Sequence, residues 1–400
     1  MDYSKTLSKR AQALEPSGIR KFFDLLADRK DVVGLTVGQP DFQTPWHIRR
    51  AGIESLQDGK TYYTSNSGLP QLREELSAYM DRRFALHYDS KKELIVTVGG
   101  SEAIDIAFRA ILDEGDEVIV PQPAFVCYGP LVQMAGGIPV YVTTEEKDNF
   151  KLTAEALEKA LSPKTKLLVL PFPNNPTGAV MTKEDLEKIA DVLRQTNVMI
   201  LSDEIYAEMT YTGAKGPGAS SHVSIATLPG MRERTVVVGG FSKSYAMTGW
   251  RIGYTAAPEP VTRQMLKIHQ YGIMCAPTTA QYAAIEALKN GDIDIAAMTA
   301  EYDRRRRSIV DGLRKIGIPT FEPEGAFYVF PQIGVFGLSS EGFCARLLEE
   351  HGAAIVPGTA FGACGEGFVR LSYATSYEKI QEAAARIAAF AKGLRKRRGA

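Results

Sequence analysis

The feature that most limits what this chain can become is a regular exchange of short apolar runs with helical patterns between Leu94 and Val238. The runs at 94–98, 117–120, 138–142, 166–170, 198–201 and 235–238 are too short for helices and rich in aliphatic and β-branched residues. Helical patterns such as 101–112, 152–161 and 182–194 stand between them. That alternation predicts the α/β class, a mostly parallel sheet with helices on both faces. Beyond Val261 helices dominate, at 264–271, 279–288 and, longest, 293–316. Strands and helices then mix without strict alternation: 320–322, 326–330, 341–351, 353–356, 368–372 and 376–394. A chain of 400 residues exceeds one ordinary domain. A large domain over 45–290 is therefore expected, with a smaller α+β domain built from 1–44 and 291–400.

Several residues are poorly explained by this framework alone. The run at 235–238 breaks at Gly239 and Gly240, so Ser242 and Lys243 are delivered at a strand's edge. A half-buried ammonium is costly there unless it is paired or neutralised by a lowered pKa, and Schiff-base chemistry requires such neutralisation. Arg251 adds a permanent cation to the same loop, suited to a phosphate. Together these groups describe a pocket for a phosphorylated aldehyde. Gly99 and Gly100 precede a helix start, where free amides and the helix dipole favour an anion, so Gly100, Ser101 and Glu102 are expected to present amides to one phosphate. Asp203 and Glu204 follow a short apolar run and cannot both be buried cheaply. A surface position accounts for Glu204 but not for Asp203. Arg370 stands alone in an apolar strand, where its planar fork suits a carboxylate; a structural ion pair or an edge-strand charge is the alternative.

In the order GQPDF, KTYY, GGSEA, PNNPTG, SDEIY, FSKSYAMTGWRIG and FVRLS, these stretches resemble the class I pyridoxal-phosphate (PLP) aminotransferases of fold type I. The resemblance covers nearly the whole chain. It implies a homodimer that moves an amino group between an L-amino acid and a 2-oxo acid by a ping-pong mechanism. By the resemblance, Lys243 carries PLP and then acts as general base and acid, Asp203 keeps the pyridine nitrogen charged, and Tyr206 and Asn175 hydrogen-bond the ring's phenolic oxygen. Phe125 would stack on the ring. Gly100, Ser101, Glu102, Ser242 and Arg251 would hold the phosphate, and Tyr63, with Tyr62 as the alternative, would reach across the dimer interface to the partner subunit's phosphate. Gly38, Asn175 and Arg370 would bind the substrate's α-carboxylate. The chain departs from the pattern at Gly240, where many relatives carry a second phosphate-binding serine. The whole text also resembles bacterial aspartate, aromatic and N-acetyl-diaminopimelate aminotransferases. A carbon-sulfur β-lyase on the same fold, sharing Lys243, Asp203 and Arg370, is the alternative function.

Composition narrows the remaining classes. Basic and acidic residues balance, 47 against 47, which argues against nucleic acid or an anionic membrane held by bulk charge. The arginine run 304–307 and the basic run 396–398 read as solvated faces. Cys127, Cys275, Cys344 and Cys364 are scattered without a CxxC pair, so no metal site or disulfide framework is indicated and a reducing, cytoplasmic setting is expected. The N-terminus lacks an apolar stretch of signal-peptide length, and no run is long enough to span a membrane. Glu54 stands where a Walker loop before Gly59-Lys60-Thr61 needs glycine, and no GxGxxG follows a strand, which removes nucleotide triphosphatases and Rossmann dehydrogenases. With GQPDF beginning at Gly38, the DNA-binding module of a PLP-sensing regulator is not expected ahead of it.

Overall fold

The computed structural model describes residues 1–16, 31–211 and 222–398. The apolar set Ile19, Phe22, Phe23, Leu25 and Leu26, expected as a short helix, and the loop expected at 214–221 lie outside the described residues. Strands in chain order are β1 (Val33–Gly34), β2 (Leu94–Thr97), β3 (Glu117–Gln122), β4 (Ile138–Thr143), β5 (Thr165–Leu170) and β6 (Met199–Asp203). They continue with β7 (Thr235–Gly240), β8 (Gly253–Ala256), β9 (Tyr328–Val329), β10 (Ala353–Ala354), β11 (Val356–Pro357) and β12 (Val369–Ser372).

Seven of these form the central sheet in the order β2-β8-β7-β6-β5-β3-β4. β4, β3, β5, β6 and β7 are parallel neighbours, with pairs such as Leu168 with Ile200 and Ser202 with Val237. The centres of β3, β5, β6 and β7 are buried on both faces because helices cover both, and so they read as continuous apolar runs, whereas β4 at the edge is largely uncovered. β8 is the exception, antiparallel to β7 and to β2. Its reversal matters, since the residues just before β8 share a sheet edge with the residues just after β2, β6 and β7. Arg251 arrives at that edge from one direction; Gly99, Asp203 and Lys243 arrive from the other.

The expected break of the lysine strand at its glycine pair is corrected by the structure. β7 runs through Gly239 and Gly240, which pair with Tyr254 and Gly253 of β8. Glycine is needed there for closeness rather than for a turn: a Cβ on Gly239 would enter the Tyr254 ring, and one on Gly253 would stand 2.7 Å from the Gly99 carbonyl carbon. One further expectation fails and two helices were missed. The 320–322 strand is absent, and the helices Trp46–Gln57 and Tyr128–Met134 were not anticipated. Trp46–Gln57 buries just Ile48, Gly52 and Ser55, too few apolar positions to trace a stripe.

A further core gathers Leu35 of the early chain with Met298, Tyr302, Phe327, Phe343 and Phe390 of the later chain, while separate clusters flank the large sheet. Helix Asp292–Lys315 corrects half of the reading of 304–307 as a solvated face, since only Arg304 and Arg307 are exposed. Arg305 and Arg306 are buried, Arg305 bonding Asp41 and Glu301, and Arg306 bonding Asp303 and Glu322. Arg305 thereby pins the GQPDF stretch that carries Gly38. No helix among the described residues is long and apolar enough to cross a membrane.

Candidate active site

The strand ends converge on one pocket. β7 leads into the single turn Phe241–Ser244, carrying Ser242 and Lys243; β6 ends on Asp203; the segment after β5 brings Asn175; helix Gly99–Ile111 after β2 brings Gly100 and Ser101; and β12 contributes Arg370. Gly38, Phe125, Tyr206 and Arg251 complete the wall. Of the expected site residues, only Glu102 and Tyr63 do not line it.

Lys243 sits where a neutral amine is favoured. Burial, with the positive charges of Arg370 and Arg251 adding to it, lowers its pKa to about 8. Its Nζ donates to the Gly38 carbonyl oxygen at 2.6 Å and lies 5.8 and 5.7 Å from the centres of the Tyr206 and Phe327 rings. Asp203 is buried, and burial raises its pKa against the hydrogen bonds that oppose the shift. Oδ2 accepts from the Tyr128 hydroxyl at 2.6 Å and Oδ1 from the Ile205 N–H at 3.2 Å. It has no ion-pair partner among the described residues. Glu204, expected at the surface, is buried instead on the opposite side of the chain. Its carboxylate accepts from Ser202 and Ser224 and faces His222, and this satisfied network removes the need for solvent.

Arg370 has no carboxylate partner among the described residues, which goes against the alternative of a structural ion pair. Nη1 donates to Asn175 Oδ1 at 2.9 Å and Nη2 to the Thr36 carbonyl at 2.6 Å, while Nε is buried without a partner. Its guanidinium lies over Tyr328 and Phe361, 4.6 and 4.7 Å from the ring centres. The adjacent asparagines divide their tasks. Asn174 closes the PNNPTG turn by accepting from Thr177, which leaves Asn175 to face the pocket.

The two anion signals, far apart in sequence, meet here. Gly99 opens its helix at φ +77°, and a Cβ on it would stand 2.6 Å from Arg251 Nη2. Arg251, itself at φ +54°, is steadied by Nη1 donating to the Thr248 carbonyl. Guanidinium, helix N-terminus and Ser242 thus bound one end of the pocket. A Cβ on Gly240 would stand 2.7 Å from Ile205 Cδ1, the far end of a flexible side chain, so sterics alone do not explain the departure from serine. The side chain of Glu102, as distinct from the amide expected to face the phosphate, turns away from this end toward the Val98 N–H and His269. Tyr63 is 77% exposed and Tyr62 61% exposed, both on the outer surface of their own chain.

Two residues escaped the sequence reading. Tyr128 holds Asp203, and the Tyr328 hydroxyl pairs with that of Tyr206 at 2.8 Å. Both were visible only as tyrosines within apolar stretches, PQPAFVCY and 326–330, where a buried hydroxyl requires a partner. The assembled groups fit PLP: an amine of lowered pKa for its aldehyde, an anion cradle for its phosphate, and a buried acid lacking a counterion for its ring nitrogen.

Comparison with known proteins agrees. The family model for aminotransferase class I and II matches residues 30–387. A putative aminotransferase, YugH, of Bacillus subtilis is 52% identical over 96% of this chain and 98% of its own. A probable N-acetyl-LL-diaminopimelate aminotransferase of the same organism is 45% identical over 96% of this chain and 95% of its own. The crystal structure of an aromatic aminotransferase from Pyrococcus horikoshii superposes with a TM-score of 0.88 at 44% identity, over 94% of this chain and 99% of that one.

Proposed function

This chain belongs to the class I and II aminotransferases, and within that family we propose the residue roles, substrate preference and assembly that follow. It is a PLP-dependent transaminase of fold type I; the lyase alternative is not favoured, since these relatives are aminotransferases. Bound in the pocket, PLP supplies an electrophilic aldehyde and a pyridinium ring that draws electrons from the substrate's Cα.

Lys243 would hold the cofactor, and its freed Nζ would take the proton from Cα and return it at the acceptor carbon. Asp203 would keep a proton on the ring nitrogen, with Tyr128 fixing its carboxylate. Tyr206 and Asn175 would hydrogen-bond the phenolic oxygen, Tyr328 setting the angle of Tyr206. Phe125 would cover the ring face, and Gly100, Ser101, Ser242 and Arg251 would hold the phosphate.

The observation that carries the substrate assignment is Arg370, a buried guanidinium with neutral partners and a free Nε. An α-carboxylate is the anion it lacks, with Gly38 beside it. Arg370→Gln is expected to raise KM for amino acid and 2-oxo acid alike by about tenfold to a hundredfold, the worth of a charge-assisted hydrogen bond. Initial rates over a substrate series check this. An unchanged KM would remove Arg370 from the carboxylate site.

The pocket's cations are all engaged in these roles, and Gln39 and Tyr328 offer amide and aromatic surface to the substrate's side chain. We therefore propose uncharged, preferably aromatic, L-amino acids as the better donors. In parallel assays L-phenylalanine should give a higher kcat/KM than L-aspartate, and the reverse order would reject this preference.

The division at about residues 45 and 290 is part of the same proposal, supported by a core around Phe327 and Phe343 drawn mainly from residues before 45 and after 290. So is a homodimer in which Tyr63 enters the partner subunit's pocket, supported by its exposure beside Tyr62. A cytoplasmic location is supported by four free cysteines.

A further inference from the structure

Glu102 poses a problem for a phosphate cradle. A carboxylate in the first turn of a helix is itself an anion that the free N-terminal amides attract, so here it is a rival for Gly99, Gly100 and Ser101. The structure holds that rival away. Oε2 accepts the Val98 N–H at 2.5 Å, and Oε1 meets His269 Nδ1 at 2.5 Å. His269 comes from the neighbouring helix Glu259–Gly272 and is fully buried, and its Nε2 has no partner. A buried ring nitrogen without a partner is unfavourable, and an apolar side chain would fill the same space without that cost. What the imidazole contributes is its bond to Glu102.

We propose that His269 is a positioning residue for the cofactor phosphate: it restrains the Glu102 carboxylate so that the amides of Gly99 to Ser101, with Arg251, stay open to the phosphate. This rests on the reading of that cradle given above. Released from His269, the carboxylate swings onto those amides and places a negative charge where the phosphate must sit. The defect is specific to phosphate. It does not extend to the aldehyde or the ring.

The test compares dissociation constants of PLP and of unphosphorylated pyridoxal for the cofactor-free enzyme. His269→Ala is expected to weaken PLP by about tenfold, the scale of a charge at a helix N-terminus, with pyridoxal unchanged. Adding Glu102→Gln to it should restore PLP binding, because the competing charge is gone. His269→Asn, which keeps a donor near the Nδ1 position, should hold the PLP-to-pyridoxal ratio near wild type and serves if the alanine variant folds poorly. Equal weakening of both ligands, no weakening, or no rescue by Glu102→Gln would each overturn the proposal. Arg251→Ala separates the underlying reading: if it leaves the ratio unchanged, the cradle itself is misassigned. If it raises the PLP-to-pyridoxal ratio of dissociation constants and His269→Ala does not, only the role of His269 falls.

Discussion

Replacing Lys243 with alanine is expected to lower turnover by at least about 10³-fold, because one amine performs both the covalent capture of the cofactor and the proton transfer. The variant should remain folded. The lost side chain is a cation that burial and its two arginine neighbours already disfavour, so its removal relieves repulsion in the cofactor-free protein. Steady-state rates, paired with a thermal melt, check both halves, and turnover at the wild-type rate would remove Lys243 from the mechanism. The same environment sets a pH dependence. The amine captures an aldehyde only when neutral, so with a pKa of about 8 the capture rate should climb about tenfold per pH unit below that value and level off above it. Stability follows the same sign. Between about 8 and the ordinary lysine value of 10.5, the unfolded chain holds a proton that the folded chain has released, so the cofactor-free protein should gain stability as pH rises through that window. The penalty is fully present below it.

The sheet was legible because parallel strands covered on both faces must be apolar throughout, which leaves 166–170 and 235–238 little else to be. Lys243, Asp203 and Arg370 were legible for the complementary reason: a charge at the end or middle of such a strand is an anomaly that needs a ligand. Strand direction was not. Nothing in Gly253–Ala256 distinguishes an antiparallel strand from a parallel one, and it took the pairing with β2 and β7 to show how Arg251 reaches Gly99. Partners of buried polar groups were equally hidden, since Tyr128 and Asp203 meet only through the fold. The arginine run misled because acids three or four residues away make such a helix look self-contained. Asp41, much earlier in the chain, is what draws Arg305 inward.

Asp203→Asn is the second large effect, and it tests whether the ring nitrogen supplies the counterion this carboxylate lacks. Asparagine keeps the size and both hydrogen-bonding positions, so the Tyr128 and Ile205 contacts have substitutes, but it cannot hold a proton on the nitrogen. Breaking a buried charge pair costs several kcal/mol, so turnover should fall between about 10² and 10⁴-fold while Lys243 still captures the cofactor. Tyr128→Phe probes the same carboxylate more gently. It removes one donor and leaves the charge, for a loss of about tenfold or less. The order of the two variants is the informative result. If Asp203 serves only the packing of β6, the conservative asparagine should be harmless and its melting temperature should report whatever effect exists. If it holds charge for the reaction, Asp203→Asn should lose rate far beyond Tyr128→Phe with little change in melting. A rate near wild type in Asp203→Asn would break the link between this acid and the ring, and with it the assignment of the pocket's electron sink.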